Sequence, residues 1–176
     1  GADVPALSHL KLFSPRVATV PNTDTLRISV LGLGQMGAPI ARNLVARGFS
    51  VKVWNRDAAK AATVPGATPC PTIAEAVAET DVALTMLADD AALRQVTLGA
   101  GGVLDALPKG AVHLGMSTVS LAIVRELAEA HAARGQEYIA SPVFGRPDLA
   151  AAAKLFVVPG GTAATLERLA PVFAAI

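Results

Sequence analysis

The sequence predicts an α/β fold, a doubly wound parallel sheet with helices on both faces. Three observations carry that reading. From Leu26 onward, short apolar runs alternate with helical patterns, as strands joined by crossover helices do. A glycine-rich segment, Gly32-Leu33-Gly34-Gln35-Met36-Gly37, lies where the first apolar run gives way to the first helical pattern. Capping and stop signals fall at the joints, as at Thr72-Ile73-Ala74-Glu75 and Gly135. Right-handed crossovers then wind the chain to both sides of the sheet.

In order, residues 26–31 read as a short apolar strand. Residues 36–47 place Met36, Ile40, Leu44 and Val45 near helical spacing, and Gly48 stops that helix. Ser50–Trp54 is a second strand, followed by a short helix that Asp57 caps. Residues 67–69 can form a short strand, and Thr72 with Glu75 forms a capping box for the next helix. Residues 81–87 are a buried strand, with Asp89 or Asp90 capping the helix after it. Residues 111–116 are a strand, 120–134 a long amphipathic helix, and Glu137–Ala140 and residues 155–159 further strands. Residues 162–175 are the last helix.

Composition narrows the function classes. The 176 residues are 52% hydrophobic and 16% charged, and the 36 alanines suit close helix-on-sheet packing. A chain of this length fits one domain and can bury roughly 70% of its unfolded surface. Lys plus Arg is 15 against 14 for Asp plus Glu. That balance offers no field for nucleic acid or an anionic membrane, so neither is an expected partner. No apolar run reaches the ~18 residues of a transmembrane helix. Residues 1–25, with Pro5, Pro15 and Pro21 and no sustained period, read as a flexible N-terminal arm. Ser8, His9 and Lys11 interrupt any signal-peptide core there, so the expected compartment is the cytoplasm. The single Cys70 excludes an internal disulfide. His9, His113 and His131 lack ligand spacing, so no metal is expected.

The glycine segment points to a nucleotide. Each glycine has a mechanical task in a strand-turn-helix phosphate loop. Gly32 makes the tight turn, Gly34 lets the backbone approach a pyrophosphate, and Gly37 lets the helix lie close to the strand. The helix N-terminus offers its free N–H groups to phosphate. Residues 26–176 therefore read as a Rossmann-type dinucleotide-binding domain. At the tip of the second strand, where a carboxylate would bond a ribose 2′-hydroxyl, stand Asn55 and Arg56. Arg56 follows Gly34 by 22 residues. Arginine forks onto a 2′-phosphate and Asn55 can donate a further bond, so NADP(H) is the expected cofactor over NAD(H). Lys60, one turn on, can assist. The alternative for Arg56 is a plain solvated surface charge, and Lys60 can equally be solvated.

Several blocks together resemble a known family. The segment from Gly32 to Gly37, then Ala41-Arg42-Asn43-Leu44 and Gly48, is similar to the β-hydroxyacid dehydrogenases. These are relatives of 6-phosphogluconate dehydrogenase, with imine reductases as a close branch. Met86-Leu87-Ala88-Asp89, Ser117-Thr118-Val119-Ser120 and Ser141-Pro142-Val143-Phe144-Gly145 agree, as do Ala150, Leu155 and Gly160-Gly161. The resemblance spans residues 27–176. It implies hydride transfer between a nicotinamide cofactor and a small-molecule substrate, a hydroxy acid or aldehyde acid. It further implies that Met86, Leu87 and Ala88 line the cofactor path, that Ser117 and Thr118 lie by nicotinamide and substrate, and that Gly145 keeps the substrate loop open. Ser117 is then the family's catalytic-site hydroxyl; its structural alternative is helix capping, a task Ser120 can take instead.

Two departures and one absence qualify what is inherited. Phe144 and Arg146 stand where the dehydrogenase form of the block has a small polar residue and a glycine. Phe144 can make an apolar wall and Arg146 can bind an anion, or each can be merely structural. The family's second, helical domain carries its catalytic lysine and forms its homodimer, and no matching segment follows here. The expectation is a fragment inactive alone, with an exposed apolar face where that domain would sit. The alternatives are an imine reductase-like NADPH-dependent enzyme and a non-catalytic nucleotide-binding scaffold.

Overall fold

The structure, a computed structural model, describes residues 26–176; the arm assigned to residues 1–25 lies outside the described residues. Six strands form one sheet: β1 (Arg27–Leu31), β2 (Ser50–Trp54), β3 (Thr68–Pro69), β4 (Val82–Thr85), β5 (Val112–Gly115) and β6 (Glu137–Ala140). Their order is β3-β2-β1-β4-β5-β6, and every pairing is parallel. This is the doubly wound order, in which the chain reverses direction across the sheet between β1 and β4. A crevice opens at the carboxyl ends of the strands at such a switch point.

The strands are apolar on both faces because helices cover both. On one side Ile28, Val30, Val53, Leu84 and Leu114 pack against Ile40 and Leu44 of α1 (Gly37–Ala46) and Leu169 and Val172 of α8 (Ala163–Phe173). On the other side Leu31 and Ala83 meet α3 (Ile73–Val77), α4 (Asp90–Leu98) and α5 (Val103–Ala106). The long helix α6 (Leu121–Ala133) buries Ile123 and Leu127 with Leu93 and Tyr138. Each fully buried leucine or isoleucine contributes about 1.5–3 kcal/mol of transfer free energy.

Side-chain caps fix several helix starts. Asp57 caps α2 (Ala58–Ala61), Thr72 caps α3, Asp89 caps α4, Ser120 caps α6 and Thr162 caps α8. Of the capping box at Thr72 one half forms: Thr72 accepts from the Glu75 N–H, while its own hydroxyl donates to the Glu75 carboxylate. Helix α1 has no side-chain cap and no acidic residue in its first turn.

Three elements escaped the sequence reading: α5, α7 (Pro147–Ala151) and β7 (Val143–Phe144). All are too short to show a period. Residues 155–159 do not extend the main sheet. Only Phe156–Val157 is strand, β8, and it pairs antiparallel with β7 as a separate ribbon. Residues 81–87 and 111–116 shorten to β4 and β5, because the outer residues turn into the loops at the strand ends. The apolar stretch 170–176 is not an exposed face: Val172, Ala175 and Ile176 are buried in the core. The large exposed apolar side chains lie elsewhere, with Phe144 at 61% and Phe156 at 70% exposure.

Two histidines far apart in sequence meet inside the sheet and helix layer. Gln136 donates to the carbonyls of Leu104 (3.2 Å) and Leu107 (2.6 Å), so its oxygen faces His131 Nδ1 at 2.7 Å. His131 Nδ1 must then donate, which leaves Nε2 to accept from His113 Nδ1 at 3.0 Å. His113 Nε2 in turn accepts from the Thr85 hydroxyl at 2.9 Å. The chain is satisfied with both rings neutral. Burial, and then the neighbouring His131, hold His113 well below its ordinary range. Burial lowers His131 too, against its bond to Gln136. Beside them burial pushes the Tyr138 hydroxyl up to about 12. Because the histidine pKa values are depressed on folding, the unfolded chain binds more protons below pH ~6.5. Unfolding free energy, measured by urea titration, therefore falls as pH drops from about 7.5 to 5.5, by up to about 1.4 kcal/mol per pH unit for each histidine. A flat profile over that window would contradict the neutral pair.

Candidate functional site

The site grows from the turn that joins β1 to α1. Gly32 leaves β1 at φ +97°, and its N–H donates to the Trp54 carbonyl at 3.0 Å. A Cβ on Gly32 would collide with the Met86 carbonyl, and one on Gly37 with the carbonyl of Gly32. Both positions are therefore closed to any side chain by the fold itself. Gly34 is different: a Cβ there meets nothing within 4 Å, because the residue faces the open cleft.

That cleft, about 550 Å³, lies at the carboxyl ends of β1, β2 and β4. Among the described residues, the N–H groups of Gly34, Gln35, Met36 and Gly37 find no acceptor within the fold. They are the uncapped end of α1, with its partial positive charge. A phosphate chain laid against Gly34 would satisfy them, and the missing Cβ leaves the room. The residues present thus fit a dinucleotide.

The tip of β2 forms the next wall. Asn55 Oδ1 accepts the Leu33 N–H at 2.9 Å, and its Nδ2 donates to the Asp57 carbonyl at 3.0 Å. Asn55 thereby braces the glycine turn. Arg56 and Lys60 border the cleft and are exposed. Among the described residues neither joins a carboxylate in an ion pair. Asp57 also borders the cleft, with one carboxylate oxygen held by the Ala59 N–H at 3.1 Å.

The far wall comes from the segment after β4 and from α4. Met86, Leu87 and Ala88 line it, with Ala92, Gln95 and Val96. This wall is tied to α6 and the loop before it at three points. Ser117 Oγ accepts the Leu87 N–H at 2.7 Å. Asp90 accepts the N–H (2.9 Å) and the hydroxyl of Ser120, and these bonds hold its carboxyl below the usual range. Arg94 pairs with Glu126.

Gly32, Gly34, Asn55, Arg56, Met86, Leu87 and Ala88 thus border one cleft, with Leu33, Gln35, Met36 and Gly37 in the turn beside it. Ser117 is only 3% exposed and sits behind Leu87; Thr118, next to it, is exposed. Ser120, and not Ser117, caps α6. Gly145, at φ +146°, lies in the β7–α7 turn, away from the cleft. That ribbon leaves the same edge of the sheet, since the Ser141 N–H bonds the Gly115 carbonyl at 2.7 Å.

Sequence reasoning missed Trp54, Ile73, Ala92, Gln95, Val96, Gly99 and Ala100, which also line the cleft. Trp54 carried a usable signal as the lone tryptophan at a strand tip. The α4 residues carried none, because their spacing is that of any half-buried helix.

The chain is 40% identical over 148 residues to an oxidoreductase of Bacillus subtilis, YfjR, covering 83% of this chain and 52% of that protein. Mycobacterium tuberculosis 3-hydroxyisobutyrate dehydrogenase, solved with L-serine, superposes with a TM-score of 0.79 at 34% identity, over 85% of this chain and 51% of that one. Psf3, solved with NADP+ and 2-OPP, gives 0.80 at 28% identity, over 84% and 53%. The chain spans about half the length of these relatives. Across residues 27–176 it matches the NAD binding domain of 6-phosphogluconate dehydrogenase, and it belongs to that family.

Proposed function

We propose that this chain binds NADP(H) in preference to NAD(H), as the nucleotide half of an oxidoreductase. The observation that carries the reading is the cationic corner at the β2 tip. Arg56 and Lys60 border the cleft without an acidic partner among the described residues, and no carboxylate occupies the strand tip itself. Asp57, the nearest acid, caps α2. A 2′-phosphate at that corner gains charge-assisted bonds that a 2′-hydroxyl cannot offer. The open face of Gly34 and the bare α1 terminus take the pyrophosphate.

When bound, the cofactor supplies or accepts the hydride. The remaining tasks fall to the protein. Met86, Leu87 and Ala88 hold the nucleotide against the sheet edge. Thr118, exposed beside buried Ser117, offers a hydroxyl to a substrate carboxylate or carbonyl oxygen. Gly145, at a φ that favours glycine and packed against Leu155 and Leu149, shapes the substrate loop; exposed Phe144 provides an apolar wall, and Arg146, paired only at 3.5 Å with Asp148, binds an anionic group. A small hydroxy acid or aldehyde acid fits that set. The proton donor and the dimer contact belong to the part of the relatives that this chain does not span, so the chain alone has nucleotide affinity without turnover. Its similarity to a hydroxy-acid dehydrogenase and to a protein solved with NADP+ supports this reading.

Two outcomes follow for calorimetric titration of the 176-residue chain. Arg56→Ala weakens NADPH binding by about 10- to 150-fold, the range of one charge-assisted bond of about 1.5–3 kcal/mol, and leaves NADH binding nearly unchanged. Equal losses for both cofactors would refute the 2′-phosphate assignment. The glycines separate site from scaffold. Gly34→Ala lowers affinity for either nucleotide at least about tenfold with the melting temperature unchanged. Gly37→Ala costs about 1–3 kcal/mol of stability, because its methyl must displace backbone.

A further inference from the structure

We propose that Ser117 is a positioning residue for the nucleotide cleft, acting through the Leu87 backbone, and not a substrate-touching hydroxyl. The inference rests on the nucleotide reading above and deepens it. Ser117 is 3% exposed, and its Oγ accepts the Leu87 N–H at 2.7 Å. Leu87 follows β4, where the backbone has left the sheet ladder: the Met86 N–H still bonds the Leu31 carbonyl at 3.0 Å, but the Leu87 N–H has no strand partner. The Ser117 side chain completes the ladder at that point. The Leu87 N–H is half-buried, and losing its acceptor there has a cost, so the segment would move to find another partner.

The consequence reaches the phosphate turn. Leu87 lines the cleft, and its Cδ2 lies 2.8 Å from where a Cβ on Gly32 would stand. Ser117 therefore fixes Leu87, and Leu87 backs the turn that presents Gly34 and the α1 terminus. The contacts run from the β5–α6 loop to the adenosine side of the cleft without passing through the nicotinamide or substrate. Thr118, exposed on the next residue, is left to face the substrate, and the two adjacent hydroxyls divide the work.

The test uses adenosine 2′,5′-bisphosphate, which lacks the nicotinamide half and cannot reach a substrate-side hydroxyl. With the 176-residue chain, Ser117→Ala weakens NADPH and adenosine 2′,5′-bisphosphate alike, by about tenfold each. A Ser117→Ala chain that loses NADPH affinity but keeps full affinity for the bisphosphate overturns the inference while leaving the NADP(H) reading intact. Wild-type chain that binds neither ligand overturns both. Amide exchange followed by NMR gives a second readout. In the wild type the Leu87 amide is protected, and in Ser117→Ala it exchanges at least about tenfold faster while the Leu84 and Leu114 amides are unaffected. Uniform acceleration across the core, which a general loss of stability produces, or rapid Leu87 exchange in the wild type, refutes the positioning role. The wild-type measurement decides the matter even where the variant fails to fold.

Discussion

The close approach of Gly37 to the carbonyl of Gly32 is the constraint on which the site depends. No side chain fits between the first turn of α1 and the end of β1. With the helix drawn down onto the strand, its terminus lies at the sheet edge, and the N–H groups that a cap would otherwise take are left for a ligand. The other long helices begin with their own Asp, Ser or Thr cap. In α1 the cap is missing, and the chain retains an unsatisfied positive end where the strand order reverses.

Around this terminus the loops are held by side chains that complete backbone bonding. Asn55 accepts the N–H of Leu33, and Ser117 accepts that of Leu87. Each spans two loops from different strands. Parallel strands end in loops that share no ladder, so nothing in the sheet itself sets the distance between them. Short polar side chains at the strand tips supply that restraint. The Asp90 and Arg94 bridges extend it from the loops to the α4 and α6 surfaces.

Within the core the buried chain from Thr85 through His113 and His131 to Gln136 ties β4 and β5 to α6 and α5. Its polarity is set at one end by two carbonyls that only the Gln136 amide nitrogen can satisfy. Two neutral rings then satisfy every partner along the chain. The chain joins two strands of the sheet to helices α5 and α6, which gives an apolar α/β core a specific polar register.

The amino-acid sequence alone determined the α/β class, the six strands of the main sheet with the longer helices between them, and the turn at Gly32, Gly34 and Gly37. Those features follow from local spacing: alternation of apolar runs, cap residues and glycines at fixed offsets. Arg56 was legible for the same reason, since its distance from the turn is set by one helix and one strand. Tertiary structure decided the rest. The α4 wall, the meeting of His113 with His131, the antiparallel ribbon of β7 and β8, and the burial of Val172 and Ile176 all join residues remote in sequence. Asn55 and Ser117 were visible as residues of the site, and the sequence could not tell which atoms they face. A hydroxyl or amide at a strand tip can meet solvent, ligand or a neighbouring loop, and only the packing of two strands side by side brings the Leu33 and Leu87 N–H groups within hydrogen-bonding distance.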